Sequence, residues 1–113
     1  MKDDSFSYFI LDQLRELDGV EARRMFGGHG LYQDETFFGI IHKGKLFFKI
    51  DESTVQEYRL RKMKPFRPNA KQMLKSYYQV PVDIIEDADE LREWAMRAIA
   101  ARVKGVHPFP TLR

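Results

Sequence analysis

Residues 36–50 read TFFGIIHKGKLFFKI, and this stretch decides the fold. Its two apolar runs, 36–41 and 46–50, are dense in aromatic and β-branched residues, which favour strands. The polar segment 42–45 between them contains Gly44 and is typical of a tight turn. The stretch therefore predicts two antiparallel strands joined by a hairpin.

A further strand precedes this hairpin. Residues 20–26 lead into Gly27-Gly28-His29-Gly30, and Leu31-Tyr32 resumes the extended pattern. Glycine adopts backbone conformations that other residues resist, so we expect a β-bulge or a strand break at this segment. Residues 33–35 then form a turn before residue 36. Three antiparallel strands joined by short turns make a meander.

Helical patterns lie on both sides of the meander. Apolar residues recur every three or four positions over residues 5–17, with Asp4 or Ser5 placed to cap the first turn. Residues 51–63 predict a second helix, in which Ser53 and Gln56 form a capping box.

The last helix has the clearest boundaries. Asp87 and Glu90 form a capping box, an apolar face follows, and Gly105 marks the end. Between the second and last helices, residues 66–67 and 76–80 are strand candidates. Residues 69–75 between them are interpreted as one helical turn.

This element order predicts a two-layer α+β fold: helix, three antiparallel strands, helix, two strands, helix. We expect one domain over residues 1–105. Residues 106–113 contain Pro108 and Pro110, which cannot continue a helix, and are predicted to form an extended tail.

Composition excludes several classes of function. The chain has no cysteine, which excludes disulfides, thiolate zinc sites and cysteine nucleophiles. The chain begins Met1-Lys2-Asp3-Asp4, with net negative side-chain charge where a signal peptide is basic, and no apolar run is long enough to span a membrane, so we expect a cytoplasmic protein. A net charge of +2 is too small to indicate nucleic-acid binding by itself.

Two glycine-containing segments resemble ligand sites. Residues 39–46 nearly match a phosphate-binding loop, but Leu46 stands where Ser or Thr would hold magnesium, and strands flank the loop on both sides. His29 could act as a base beside the glycines, but no Ser, Cys or second His is adjacent to it in the sequence. Local backbone geometry explains both segments better, and no catalytic, cofactor-binding or metal-binding residue is predicted.

Arg23 and Arg24 are neighbours in a predicted strand, so we expect one side chain to face the core and the other to face solvent. A buried arginine needs a carboxylate partner, for which Glu21, Asp34 and Glu35 are candidates. The alternative is a binding surface beside the glycine turn.

The segment from Tyr58 to Tyr78 is strongly basic. It contains no acidic residue, and Tyr58, Phe66, Tyr77 and Tyr78 are interleaved with the cations. Cations neutralise phosphates and aromatic rings stack on bases, so direct, weakly specific nucleic-acid binding is an open alternative. The candidate contacts are Arg59, Arg61, Lys62, Lys64, Arg67, Lys71 and Lys75.

Two motifs resemble a known family. Arg24-Met25-Phe26-Gly27-Gly28-His29-Gly30-Leu31-Tyr32, followed by Phe38 and residues 46–49, is similar to the N-terminal domain of the TfoX/Sxy competence regulators. Residues 76–81, with Leu91 and Trp94-Ala95, are similar to the closing half of that domain.

The resemblance implies a bacterial protein of the predicted element order. It also implies kinship with regulators of natural transformation that work with a cAMP-responsive transcription factor, and no enzymatic activity. Full-length regulators carry a second, C-terminal domain after this one, whereas this chain ends at Arg113, so we expect a stand-alone module. We expect a non-catalytic interaction module, a homodimer that contacts a protein in transcriptional control, with residues 24–29 as the motif positions.

Overall fold

The computed structural model describes residues 4–25 and 27–102. The helices are α1 (Ser5–Gln13), α2 (Val55–Leu60), α3 (Val82–Ile85) and α4 (Ala88–Ala100). The strands are β1 (Val20–Met25), β2 (Gly28–Gln33), β3 (Thr36–His42), β4 (Lys45–Lys49), β5 (Pro65–Asn69) and β6 (Gln72–Gln79). These strands form one antiparallel sheet in the order β1-β2-β3-β4-β6-β5. The predicted α+β class is confirmed.

The first half of the sheet contains four strands, where the sequence predicts three. Met25 pairs with Gly28, so the chain reverses between them, and the glycine segment begins a new strand. Gly27 has a φ of +77°, which is in the left-handed region, whereas residues 28–30 belong to β2. The expected break within one strand is therefore a hairpin turn.

Neighbouring aromatic residues on the central strands belong to two different hydrophobic clusters. Phe38 and Phe48 pack in the cluster that contains the buried residues of the helices. Phe37 and Phe47 pack in a second cluster, whose members all come from strands. Since successive side chains of a strand point to opposite faces, the helices cover one face of the sheet and the second cluster lies on the other.

A β-bulge at Phe38 changes which residues of β3 face each cluster. Leu31 pairs with Gly39 and Tyr32 pairs with Phe37, so Phe38 has no partner on β2. The extra residue shifts the alternation by one position. A Cβ on Gly39 would meet the side chains of Leu31 and Phe48 on the helix side, while Ile40 joins the second cluster.

Residues 69–75 form the turn and the start of a β-strand, which corrects the predicted helical turn. The side-chain oxygen of Asn69 accepts a hydrogen bond from the backbone N–H of Lys71 at 2.8 Å, and its amide nitrogen donates to the side chain of Gln72 at 2.8 Å. Asparagine favours turns because its side chain bonds the backbone two residues later. β5 and β6 are correspondingly longer than the predicted strands.

Helix ends also differ from the prediction. α1 ends at Gln13 and α4 ends at Ala100, since Ala101 already has an extended backbone. Gly105 therefore does not end the last helix, and it lies outside the described residues, as does the predicted tail.

The cap at Asp87 is confirmed, because its side chain accepts from the amides of Asp89 and Glu90. α3 was not predicted.

Asp51, and not Ser53, organises the start of α2. Its carboxylate accepts from the Ser53 hydroxyl at 2.7 Å, the Ser53 amide at 2.9 Å and the Thr54 amide at 3.2 Å. These bonds, that from the Ser53 hydroxyl above all, lower the pKa of Asp51 below its ordinary value of 3.8.

We expect Asp51→Ala to lower the free energy of unfolding by about 1 kcal/mol at neutral pH, as loss of a cap does. Because the pKa of Asp51 is lowered in the folded state, its stabilisation is complete above the ordinary value of 3.8 and is lost as the pH falls through the folded value. Urea unfolding at neutral and acid pH measures this. Glu52→Ala, at an exposed neighbour, is the control, and a difference that stays constant with pH contradicts the assignment.

No helix in the described part of the chain combines the length and the apolar character needed to cross a membrane.

Candidate functional site

A cleft of about 500 Å³ opens where three parts of the chain meet. The start of α1 contributes residues 4–7, the β1–β2 hairpin contributes Arg24 and residues 27–29, and the β3–β4 turn contributes residues 41–44. The fold thus brings four of the six predicted motif positions to one cleft. Met25 instead packs against the second cluster, and Phe26 lies outside the described residues.

His29 has a serine neighbour that its sequence context does not reveal. The Oγ of Ser7 on α1 lies 3.2 Å from Nδ1 of His29 on β2. Ser7 is 6% exposed, so its hydroxyl is largely enclosed where it meets the ring of His29. No hydrogen bond joins a described carboxylate to the ring of His29. The pair therefore connects α1 to the sheet and holds the imidazole at the cleft wall.

Both arginines of β1 are exposed, which corrects the expectation that one is buried. Arg23 pairs with Glu21 at 3.0 Å and lies over the ring of Tyr32, 4.0 Å from its centroid. Arg24 is on the opposite face and reaches Asp4 at the start of α1, with 3.4 Å between the charged groups. Arg24 is directly opposite His29 across the two strands, so both side chains belong to the cleft. Because β1 is an edge strand, solvent reaches both of its faces, and neither arginine has to be buried.

Gly28 is required by packing and not by an unusual φ. A Cβ at this position would collide with the carbonyl oxygen of Ile41 on β3. Close approach of two backbones is a common reason for glycine in a strand. The narrow contact brings the β1–β2 hairpin against the β3–β4 turn and so forms the floor of the cleft.

The basic stretch has a different structure from the one that the nucleic-acid alternative needs. All seven cations are exposed. However, Tyr58, Phe66 and Tyr77 are at most 3% exposed, because they pack in the two clusters. Burial also raises the pKa of the Tyr77 phenol well above its ordinary value. These three rings cannot stack on bases, and the fourth, Tyr78, is partly buried against the cluster that contains the helix residues. Contacts with phosphates are therefore the main basis for this alternative.

Arg61 is the one cation of this stretch for which the described residues show a salt bridge. It pairs with Asp83 on α3 at 3.0 Å and lies 5.6 Å from the centroid of Trp94. Asp83 therefore pairs with one of the candidate nucleic-acid contacts.

β1 and β5 form the two edges of the sheet. β5 contains Pro65 and Pro68, and its register with β6 is irregular. β1 contains neither proline nor glycine, pairs with β2 without a shift, and has no fully buried residue. Its outer edge is the one suited to pairing with another strand.

The model of the TfoX N-terminal domain matches residues 12–102 of this 113-residue chain. The chain belongs to the TfoX N-terminal domain family. The resemblance inferred from the glycine motif and from residues 76–81 is confirmed. No curated protein shows a significant match to this chain.

The matched part of this TfoX N-terminal domain includes the glycine motif and the β3–β4 turn but not the start of α1. The cleft wall formed by Asp4 and Ser7 was therefore not predictable from the motif. Lys43 was also missed, because the sequence indicates only a turn there. The one sequence feature near Lys43 that pointed to a ligand was the partial match of residues 39–46 to a phosphate-binding loop.

Proposed function

We propose that this TfoX N-terminal domain is a non-catalytic interaction module of the bacterial cytoplasm, which acts as a homodimer through protein contact in transcriptional control. The outer edge of β1, which pairs with no other strand in the described part of the chain, carries the proposal. A regular strand with unpaired edge groups is a template for strand addition by a second chain.

The charges of β1 favour a second copy of the same chain as its partner. In an antiparallel β1–β1 pair with a two-fold axis at Ala22, Glu21 lies opposite Arg23 of the second copy, and Arg23 lies opposite Glu21. Opposite charges directly across a strand pair are stabilising, and like charges are destabilising. The two-fold axis produces each favourable pair twice.

The contents of the cleft support the non-catalytic part of the proposal. Ser7 is buried beside His29. Among the described residues, no group of three or more His, Asp or Glu side chains is placed to hold a metal ion.

Sedimentation of charge variants tests the dimer. The native protein should sediment as a dimer at micromolar concentration. Glu21→Lys places like charges across the interface and should weaken dimerisation roughly tenfold or more. The double variant E21R/R23E exchanges the charges and should restore the dimer.

Glu93→Lys is the matched control, since Glu93 is exposed on α4 and belongs to no strand of the sheet. It changes the net charge as Glu21→Lys does and should leave dimerisation unchanged. Circular dichroism checks that each variant is folded. A native protein that is monomeric throughout, or a double variant that stays monomeric, contradicts pairing through β1.

Contact with a transcription regulator is tested by titrating the labelled domain with a purified cAMP-responsive transcription factor. Saturable binding supports the regulatory role, and a titration without binding contradicts contact with this transcription factor.

Direct nucleic-acid binding is a second candidate, favoured by the exposure of all seven cations between Arg59 and Lys75. Affinity for a labelled duplex that falls steeply with salt would support it. Lys62→Ala and Lys64→Ala should then weaken binding to every sequence alike.

A further inference from the structure

We propose that the cleft between α1, the β1–β2 hairpin and the β3–β4 turn binds a small organic phosphate. This site is independent of the β1 edge and of the proposed function. It is inferred from the charges, the size and the walls of the cleft.

Cationic and hydrogen-bonding groups reach the cleft from three separate elements. Arg24 comes from β1, His29 from β2 and Lys43 from the β3–β4 turn, while Asp4 is the one acidic residue among the described lining. A phosphate monoester has three terminal oxygens and two ionisable protons, so it matches donors from several directions better than a carboxylate does.

Arg24 retains donors for a ligand. Its contact with Asp4 is 3.4 Å long and involves one terminal nitrogen of the guanidinium, and its side chain is 63% exposed. A guanidinium has five N–H donors, so the Asp4 contact leaves others available for phosphate oxygens. Asp4 in turn orients Arg24 toward the start of α1.

His29 is held in place before any ligand arrives. Ser7 fixes one ring nitrogen at 3.2 Å, and the backbone of β2 is held against β3 by the close approach at Gly28. The imidazole is half-buried at the cleft wall. Preorganised polar groups bind a ligand with a smaller entropy cost than mobile ones.

The positive end of the α1 dipole adds to the same field. Residues 4–7 line the cleft, and α1 has nine residues, so its N-terminal turn lies at the site. Backbone N–H groups at a helix start favour anions. Here they supplement the three side chains from the strands and the turn.

The cleft also has room for the organic part of a ligand. Its volume of about 500 Å³ is in the range of small-molecule sites and well above that of a phosphate ion. Phe6 and Ile41 provide apolar surface beside the charged groups. We therefore expect an organic phosphate to bind more tightly than inorganic phosphate.

Amide NMR titrations of the intact chain with phenyl phosphate, inorganic phosphate and benzoate test the site. Phenyl phosphate should shift the amide signals of Gly28, His29 and Lys43 and saturate at a lower concentration than the other two. Arg24→Ala and Lys43→Ala should each weaken binding of phenyl phosphate about tenfold, as loss of one charge-assisted contact does.

Arg59→Ala is the control for Arg24→Ala, because it removes the same charge from an exposed position on α2 outside the cleft lining. Lys45→Ala serves in the same way for Lys43→Ala, since Lys45 is exposed and outside the cleft lining. Both controls should bind phenyl phosphate as the native protein does. The proposal is overturned if phenyl phosphate does not bind at millimolar concentration, if the control variants weaken binding equally, or if benzoate binds as well. Since no variant touches Glu21 or Arg23, failure here leaves the dimer proposal intact.

Discussion

The Gly28→Ala variant is expected to lose roughly 3 kcal/mol or more of its free energy of unfolding, the loss typical of strong overpacking. The added methyl group would overlap the carbonyl oxygen of Ile41, which is a backbone atom and cannot rotate away. Relief requires β2 and β3 to separate where the cleft floor is formed. Urea unfolding followed by circular dichroism measures the loss, and a fall in melting temperature of about 10 °C or more should accompany it.

Gly44→Ala is the matched control for this prediction. Gly44 is in the β3–β4 turn of the same cleft and has a φ of +74°, but no atom lies within 4 Å of an added Cβ. Only the left-handed backbone conformation opposes alanine there, at a cost of about 1 kcal/mol. A loss for Gly28→Ala no larger than that for Gly44→Ala would show that β2 and β3 accommodate the added methyl group, and would contradict a requirement for glycine set by the contact with Ile41.

Phe66→Ala should lower the free energy of unfolding by about 3–4 kcal/mol, as deletion of a buried phenyl ring does. Phe66 is 2% exposed, and its ring centroid lies 4.7 Å from that of Phe47 in the second cluster. The loss should be large although β5 is an edge strand. Chemical unfolding at neutral pH, with an unchanged slope against denaturant, is the measurement.

Met73→Ala in the same hairpin is the comparison, since Met73 is 38% exposed. It should change stability by less than about 0.5 kcal/mol. A mild effect of Phe66→Ala on stability, together with a loss of affinity for single-stranded nucleic acid, would contradict the structural role and would favour stacking on bases. The two readings of Phe66 thus predict opposite results.

The prediction of the glycine segment shows what local patterns leave open. Glycines at positions 27, 28 and 30 indicate unusual backbone, but a bulge, a break and a hairpin turn all satisfy that pattern. The pairing of Met25 with Gly28 shows that the segment forms a hairpin turn. The strand count follows from this pairing, which depends on contacts between strands and not on the residues of one segment.

The basic stretch shows the same limit for function. Aromatic residues that alternate with cations are compatible with base stacking and with a buried face. Tyr58, Phe66 and Tyr77 are buried because the strands and α2 place them against two clusters. The charge pattern alone does not distinguish these outcomes, since burial is a property of the assembled sheet.

By itself the sequence determined the α+β class, the family, the strands around residues 36–50 and the cap at Asp87. These features depend on periodicity, turn chemistry and motifs, all of which act over a few residues. Only the tertiary structure decided that Ser7 lies beside His29, that Arg24 and Lys43 share a cleft, and that β1 is an edge strand. Residues distant in sequence meet through strand order and register, and those arise from the packing of the whole chain.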